Sequence, residues 1–158
     1  MSDNQQPLLL VLDVHALVHR AYHAVPPLTV RRTGEVVNAV FGVASMLLKA
    51  LADYQPSNLA AANDLPGPTF RHASFEDYKA HRPAAADDLR PQFVRVRQLL
   101  EAFCIPIYEQ PGYEADDVIG TLATQATARA LSTVIVTGDN DALQLVNPFV
   151  RVLTPRRT

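Results

Sequence analysis

Apolar residues follow two rhythms along this chain, and the rhythms alternate. Residues 8–13, Leu-Leu-Leu-Val-Leu-Asp, are a continuous apolar run closed by an acid. Such a run reads as a strand buried on both faces of a parallel sheet. Residues 15–24 take up helical spacing, and Val25-Pro26-Pro27-Leu28 ends it. From Val36 to Tyr54 the helical period returns, with Val37, Val40, Phe41, Ala44, Leu47, Leu48 and Leu51 as its apolar positions. Asn58–Asp64 is a weaker strand, again closed by an acid, and Leu65-Pro66-Gly67-Pro68 turns the chain.

A second amphipathic helix, the third helix in all, is predicted over Leu89–Phe103, with Val94, Val96, Leu99, Leu100 and Phe103 on its apolar side. A short strand follows at Ile105–Tyr108, then a helix from about residue 113 to about 130. Thr133–Thr137 is β-branched throughout and reads as a strand. It runs into Gly138-Asp139-Asn140-Asp141, a short helix to Val146, and a last strand at Val150–Leu153. The alternation predicts an α/β fold, a parallel sheet with helices on both faces.

The closing acids change the picture. Asp13 and Asp64 end strands, and Asp139 and Asp141 lie just past the turn after a third. Glu114, Asp116 and Asp117 open the helix that begins near residue 113. In an open parallel sheet, strand carboxyl ends and following helix N-termini share one edge. Seven acids from four segments should therefore converge there. One acid-rich helix start would be solvated and favoured by the helix dipole. Four acidic elements with one destination point instead to a shared metal site. The donors are all oxygens, which suits Mg²⁺ or Mn²⁺, and their number argues for two ions, the arrangement used for phosphodiester cleavage. Glu114 and Asp117 share a helix face, whereas Asp116 points about 100° from Asp117, leaving one acid to reach its ion through water.

Composition adds a little. The 158 residues are 48% hydrophobic and 19% charged, ordinary values for one globular domain. Met1–Pro7 is polar and is expected to be disordered, and no apolar run reaches the roughly 18 residues of a membrane span. A single cysteine, Cys104, lies in an apolar stretch and is expected to be buried, as suits a reducing cytoplasm. The net charge is −2, but setting the seven acids aside leaves nine acids against 14 basic residues. That distribution suits a phosphate polymer held around a metal centre. Residues 69–91 interleave basic and aromatic side chains (Phe70, Arg71, Phe75, Tyr78, Lys79, Arg82), as a single-stranded nucleic acid would require. Arg20, Arg71, Lys79 and Arg82 could hold the scissile phosphate and its neighbours. His15, His19 and His23 share a helix face at i, i+4, i+8, and read as a helix flank in preference to a zinc site. Two other classes fit the sequence less well. An aspartyl-phosphate phosphatase needs Asp-x-Asp after its first strand, and here Asp13-Val14-His15 lacks the second acid. A non-catalytic nucleic-acid docking module leaves the acids without a role.

These motifs resemble the N-terminal 5′-nuclease domain of bacterial DNA polymerase I, of the flap endonuclease/PIN-like superfamily. The stretches are Asp13 with Arg20–Thr29, Asp64 with Gly67–Arg71, Tyr78–Pro83, Glu114–Ala123, and Thr137–Asp141 with Gln144–Val146. The resemblance implies a three-layer PIN-like, Rossmann-like domain over 1–158, with an arch inserted at about 69–91. It implies a metal-dependent 5′→3′ exonuclease and flap endonuclease that removes RNA primers and displaced 5′ strands in replication and repair. Asp13, Asp64, Glu114, Asp116, Asp117, Asp139 and Asp141 match the family's metal ligands, Asp117 counting also among the catalytic residues. Lys79 and Arg82 match catalytic, substrate-gripping positions of the arch, Arg20 and Arg71 phosphate-facing ones, and Tyr78 a stacking one. The partners implied are DNA with a 5′ end or flap, primer–DNA junctions and a polymerase domain of the same parent chain, in the cytoplasm at the nucleoid. The family's helix–hairpin–helix segment, with two further aspartates, is expected to lie beyond residue 158. Val14 stands where the family has glycine, and is expected to crowd the backbone there.

Overall fold

The computed structural model describes residues 7–75 and 86–155. The disorder expected of residues 1–7 falls, Pro7 apart, outside these, as do Tyr78, Lys79 and Arg82. Five strands form one sheet: β1 (Leu8–Asp13), β2 (Asn58–Ala62), β3 (Ile107–Tyr108), β4 (Ser132–Val136) and β5 (Val150–Leu153). Their order is β3-β2-β1-β4-β5, and every pairing is parallel. The chain builds outward from β1 to β3, then crosses to β4 on the other side. Asp13 therefore ends the strand at the topological switch point, where open sheets part their loops and leave a crevice. Leu12 pairs with Ala61 on one side and Val136 on the other, which aligns the ends of three strands.

Alternation along the strands divides two cores. Leu10 and Leu12 of β1 and Val134 and Val136 of β4 face α1 (Val14–Ala24), α2 (Asn38–Tyr54) and α4 (Arg90–Ala102). Val11 and Ile135 face the opposite way, onto Ile119 and Ala123 of α5 (Ala115–Ala128). The result is the predicted three layers. A continuous apolar run is what a strand covered on both faces requires. The helices α1 and α2 cross so closely that a Cβ on Gly42 would come within 2.6 Å of the Ala21 Cβ, so only glycine fits there. A short helix, α3 (Phe70–Ser74), begins the inserted segment, and a 3₁₀ helix (Asn140–Leu145) follows β4.

Four expectations need correction. Val94 and Phe103 are exposed on α4, whose buried face is Gln92, Val96 and Leu100 at steps of four. Phe41 and Leu48 are likewise exposed on α2, which buries Ala39, Gly42, Val43 and Ala50 beside Leu47. Close helix crossing favours small residues, so apolar size misidentified the inner stripe. Cys104 is exposed, in a left-handed turn at φ 54° that follows α4. Val14 does not crowd the cleft, because it opens α1 and packs in the core. Gln92 is fully buried, and no apolar pattern points to it. Its Nε2 donates to Asn38 Oδ1 at 3.0 Å and its Oε1 accepts from the Ala39 N–H at 2.7 Å. Asn38 in turn donates to the Tyr22 and Val25 carbonyls, so one satisfied polar network ties α1, α2 and α4 together.

Candidate metal centre

Asp13 is 3% exposed and serves as the N-cap of α1, its Oδ1 accepting from the Ala16 N–H at 3.1 Å. Its Oδ2 accepts from the Thr137 hydroxyl at 2.6 Å. Burial raises the Asp13 pKa above the usual carboxylate value, against the lowering effect of these two bonds, while the charge of Asp64 raises it further. Thr137 is itself fully buried, and its Oγ1 accepts from the Asp139 N–H at 3.0 Å. One hydroxyl thus fixes the acids closing β1 and β4. Sequence reading placed Thr137 in a strand and missed this role. The available signal was a hydroxyl residue two positions before Asp139.

Asp64 closes β2 after Asn63, and its Oδ1 accepts from the Ala115 N–H at 2.6 Å. Hence β2 is pinned to the first residue of α5. The other Asp64 oxygen lies 3.7 Å from His15 Nδ1. The His15 ring also packs on His19 (centroids 4.5 Å apart) and Phe93 (5.4 Å). His15 was read only as a flank residue, and its contact with an acid 49 positions away carries no local sequence signal. Asp139 N-caps the 3₁₀ helix, accepting from the Asp141 N–H at 2.9 Å.

On α5 the three acids part company. Glu114, the N-cap, is 8% exposed. Asp116 keeps solvent contact but stands in the crowd. Its carboxyl is pushed up to about 6, first by desolvation and then by the charges of Asp13, Asp139, Asp64 and Glu114. Those four come from the ends of β1, β4 and β2 and from the start of α5, so the structure brings five of the seven predicted acids to one place. Asp117 turns elsewhere. Its two oxygens take both ends of the Arg71 guanidinium at 2.7 Å each, and Oδ2 also accepts from the Glu114 N–H at 2.9 Å. Arg71, read as a phosphate ligand, lies against carboxylates instead, with Glu114 Oε2 at 3.6 Å. Asp141 stands at the rim, beside Asp139, Arg20, His19 and His23 in an open groove of about 720 Å³. Arg20 makes no ion pair with any described residue. A Cβ on Gly138 would stand 3.3 Å from its Cδ, so glycine lets the arginine stem lie over the β4 turn.

Among the described residues, no three acids, imidazoles or thiols are drawn tightly enough around one point to enclose an ion. Asp13, Asp64, Asp117 and Asp139 each accept from a protein donor, and repulsion acts on Asp116 from the acids around it. The donor set nevertheless fits a hard divalent cation. It is all oxygen, it concentrates negative charge, and desolvation and then the neighbouring charges raise the pKa of one member, Asp116, a cost that a cation would offset. No helix of the described residues is long and apolar enough to cross a membrane.

Comparison with known proteins bears on this arrangement. Residues 8–158 match the family described as 5′-3′ exonuclease, N-terminal resolvase-like domain. DNA polymerase I of Chloroflexus aurantiacus is 52% identical over 147 residues, covering 92% of this chain and 16% of that protein. DNA polymerase I of Pseudomonas aeruginosa is 44% identical over 150 residues, covering 95% of this chain and 16% of that protein. The chain thus spans about a sixth of the length of these relatives. Among solved structures, the T5 5′-exonuclease with bound zinc superposes with a TM-score of 0.66 at 17% identity, over 92% of this chain and 54% of that one. A T5 flap endonuclease in a pseudo-enzyme-product complex with DNA and metal ions gives 0.62 at 16% identity, over 92% and 54%. At such identities the likeness establishes the shared fold, an α/β parallel-sheet architecture.

Proposed function

The chain belongs to the family of 5′-3′ exonuclease N-terminal, resolvase-like domains, and from this we propose that residues 1–158 form the catalytic core of a metal-dependent 5′→3′ exonuclease and 5′-flap endonuclease. The observation that carries the reading is the gathering of Asp13, Asp64, Glu114, Asp139 and Asp116 from four separate elements around one crowded carboxyl. We assign these five as the ion-holding residues, with Asp141 reaching an ion from the rim. The cofactor is Mg²⁺ or Mn²⁺, two ions in the complete enzyme. Bound there, the cations would polarise a phosphodiester and supply hydroxide at neutral pH.

The chain's own residues prepare this chemistry. Thr137 and the Ala16 N–H hold Asp13 in one orientation and favour its ionised form despite burial. The Ala115 N–H does the same for Asp64, and ties strand end to helix start. Such fixed acids need little reorganisation as charge develops, which is where electrostatic catalysis gains most. Arg20 faces the open groove beside Asp139 and Asp141, and there receives a phosphate of the bound strand. Lys79 and Arg82 contact the scissile phosphate from the inserted segment, and Tyr78 stacks on a base. These three roles rest on the sequence motif alone. The substrates are DNA 5′ ends, 5′ flaps and primer–DNA junctions. We also propose a polymerase domain in a longer parent chain and a cytoplasmic, nucleoid location, the first with the DNA polymerase I relatives in its support.

A 5′-flap cleavage assay with Mg²⁺, Mn²⁺ and chelator tests the reading, on this chain and on one extended to the length of the relatives. We expect metal-dependent release of the flap, abolished by Asp13→Asn. Cleavage that persists in chelator, or none from the extended chain with metal, defeats it.

A further inference from the structure

We infer that Asp117 is not an ion ligand but one half of a neutral clamp with Arg71, which fastens the start of the inserted segment to α5 and positions Glu114. This rests on the metal-site reading above.

Three observations lead to it. First, the Asp117 carboxylate is already committed. Both oxygens pair with the guanidinium, and Oδ2 also takes the Glu114 N–H. Recruiting it to an ion would cost Arg71, whose side chain is 29% exposed, both bonds of its two-pronged pairing at 2.7 Å and leave Glu114 Oε2 at 3.6 Å. Second, Asp117 lines a groove of about 480 Å³ at the sheet edge, with Tyr108, Tyr113 and Thr121. Asp139 and Asp141 line a different groove, with Arg20. Third, further ties join the same two elements. The Phe70 N–H donates to the Gly112 carbonyl at 2.9 Å, the Phe70 and Tyr113 rings pack 5.4 Å apart, and the Arg71 guanidinium lies 4.6 Å over the Phe70 ring. Arg71 is thus the node between α3, which opens the insertion, and the residues that cap α5.

The clamp has no net charge, and that yields a test separate from catalysis. Removing Arg71 alone leaves Asp117 as an extra anion one turn from Glu114. Removing Asp117 alone leaves a guanidinium 3.6 Å from the Glu114 carboxylate. Removing both restores the charge balance. Mn²⁺ affinity of this chain, read from the free-ion electron paramagnetic resonance signal, should tighten by about 3- to 10-fold in Arg71→Gln and weaken similarly in Asp117→Asn. In the Arg71→Gln/Asp117→Asn pair it should return to within about 2-fold of the parent. Asp116→Asn, a proposed ligand, should weaken it by more than ~10-fold. On a 5′ flap the paired variant should show KM raised by about 10-fold with kcat held within about 3-fold, because the insertion has lost its anchor.

A direct-ligand role for Asp117 predicts otherwise: the paired variant would bind Mn²⁺ as weakly as Asp117→Asn, and that result overturns the clamp. A parent chain that binds no Mn²⁺ overturns the metal reading and the clamp with it. If the uncharged pair fails to give a cooperative thermal transition, Arg71→Met/Asp117→Leu keeps the charge balance with apolar packing, and is held to the same Mn²⁺ criterion.

Discussion

Two arginines approach the acid row from opposite sides, and their surroundings give them opposite uses. Arg71 sits on the α3 side within reach of Asp117 and Glu114, and its guanidinium is consumed by carboxylates. Arg20 sits on the β4 side, with Asp139 and Asp141 along the same groove, yet makes no ion pair with any described residue. From sequence both read as phosphate-facing. The difference is geometric. Arg71 meets a carboxylate whose two oxygens match its two-pronged fork. On the β4 side, Asp139 turns an oxygen toward the Asp141 N–H instead. An arginine near acids stays open to other partners only where those acids do not pair with it.

The largest expected effect separates the acids on the two sides. Asp13→Asn should lower metal-dependent flap cleavage by about 10³-fold or more, since several kcal/mol of transition-state stabilisation passes through the cation site. Asp117→Asn should lower it by no more than ~10- to 100-fold, through position alone. Single-turnover rates measure both, and equal losses would erase the distinction drawn here. Next, Arg20→Ala should reduce kcat/KM by about 10- to 100-fold, as expected for a lost charge-assisted phosphate contact. It should also flatten the salt dependence of binding and leave the thermal midpoint near that of the parent. A large fall in that midpoint would show that Arg20 is structural after all.

Thr137→Val probes the β4 side more finely. It removes the hydroxyl bonded to Asp13 and should destabilise the chain by about 1–3 kcal/mol in denaturant unfolding, the cost of a buried polar group losing its partner. That bond holds the Asp13 pKa down against burial, so its loss raises the pKa further. The acidic limb of the pH–rate profile should then move to higher pH. A limb that stays put, or moves to lower pH, would show that Asp13 is not the group governing it.

The smallest effect concerns the metal-free protein. The Asp116 pKa is raised in the fold, from the model-compound value of 3.8 to about 6. The folded state therefore binds this proton more tightly than the unfolded state. The stabilisation is fully present below about pH 4 and is lost as pH rises through about 6. In chelator, the thermal midpoint of Asp116→Asn should gain on that of the parent between pH 4 and pH 7, and saturating Mg²⁺ should reverse the ranking. A gap that does not change with pH would remove the crowding argument.

Much of the fold was legible because the signals are local. The runs at 8–13 and 150–153 became β1 and β5 with the residues predicted, and the first, apolar on both faces, can bury both sets of side chains only inside a covered sheet. The acids at strand ends were legible for the same reason, since parallel topology sends every strand end to one edge. Which helix stripe faces inward was not. Phe41, Leu48, Val94 and Phe103 are large and apolar yet exposed, while Gly42, Ala39 and Gln92 are buried. Interhelical distance decided that, through a crossing only a glycine permits and a polar side chain whose partners lie 53 and 54 residues away.

By itself the sequence determined the layered sheet, the edge at which the acids meet, and the oxygen-only chemistry of that edge, because periodicity and strand-end position are written in consecutive residues. Only the tertiary structure decided what each charge does there. Asp116 is crowded by three acids from distant segments besides Glu114, Asp13 is clasped by a hydroxyl 124 residues away, and Asp117 is matched to an arginine 46 residues before it. The use of a charge depends on the distance to its nearest partner, and folding sets that distance.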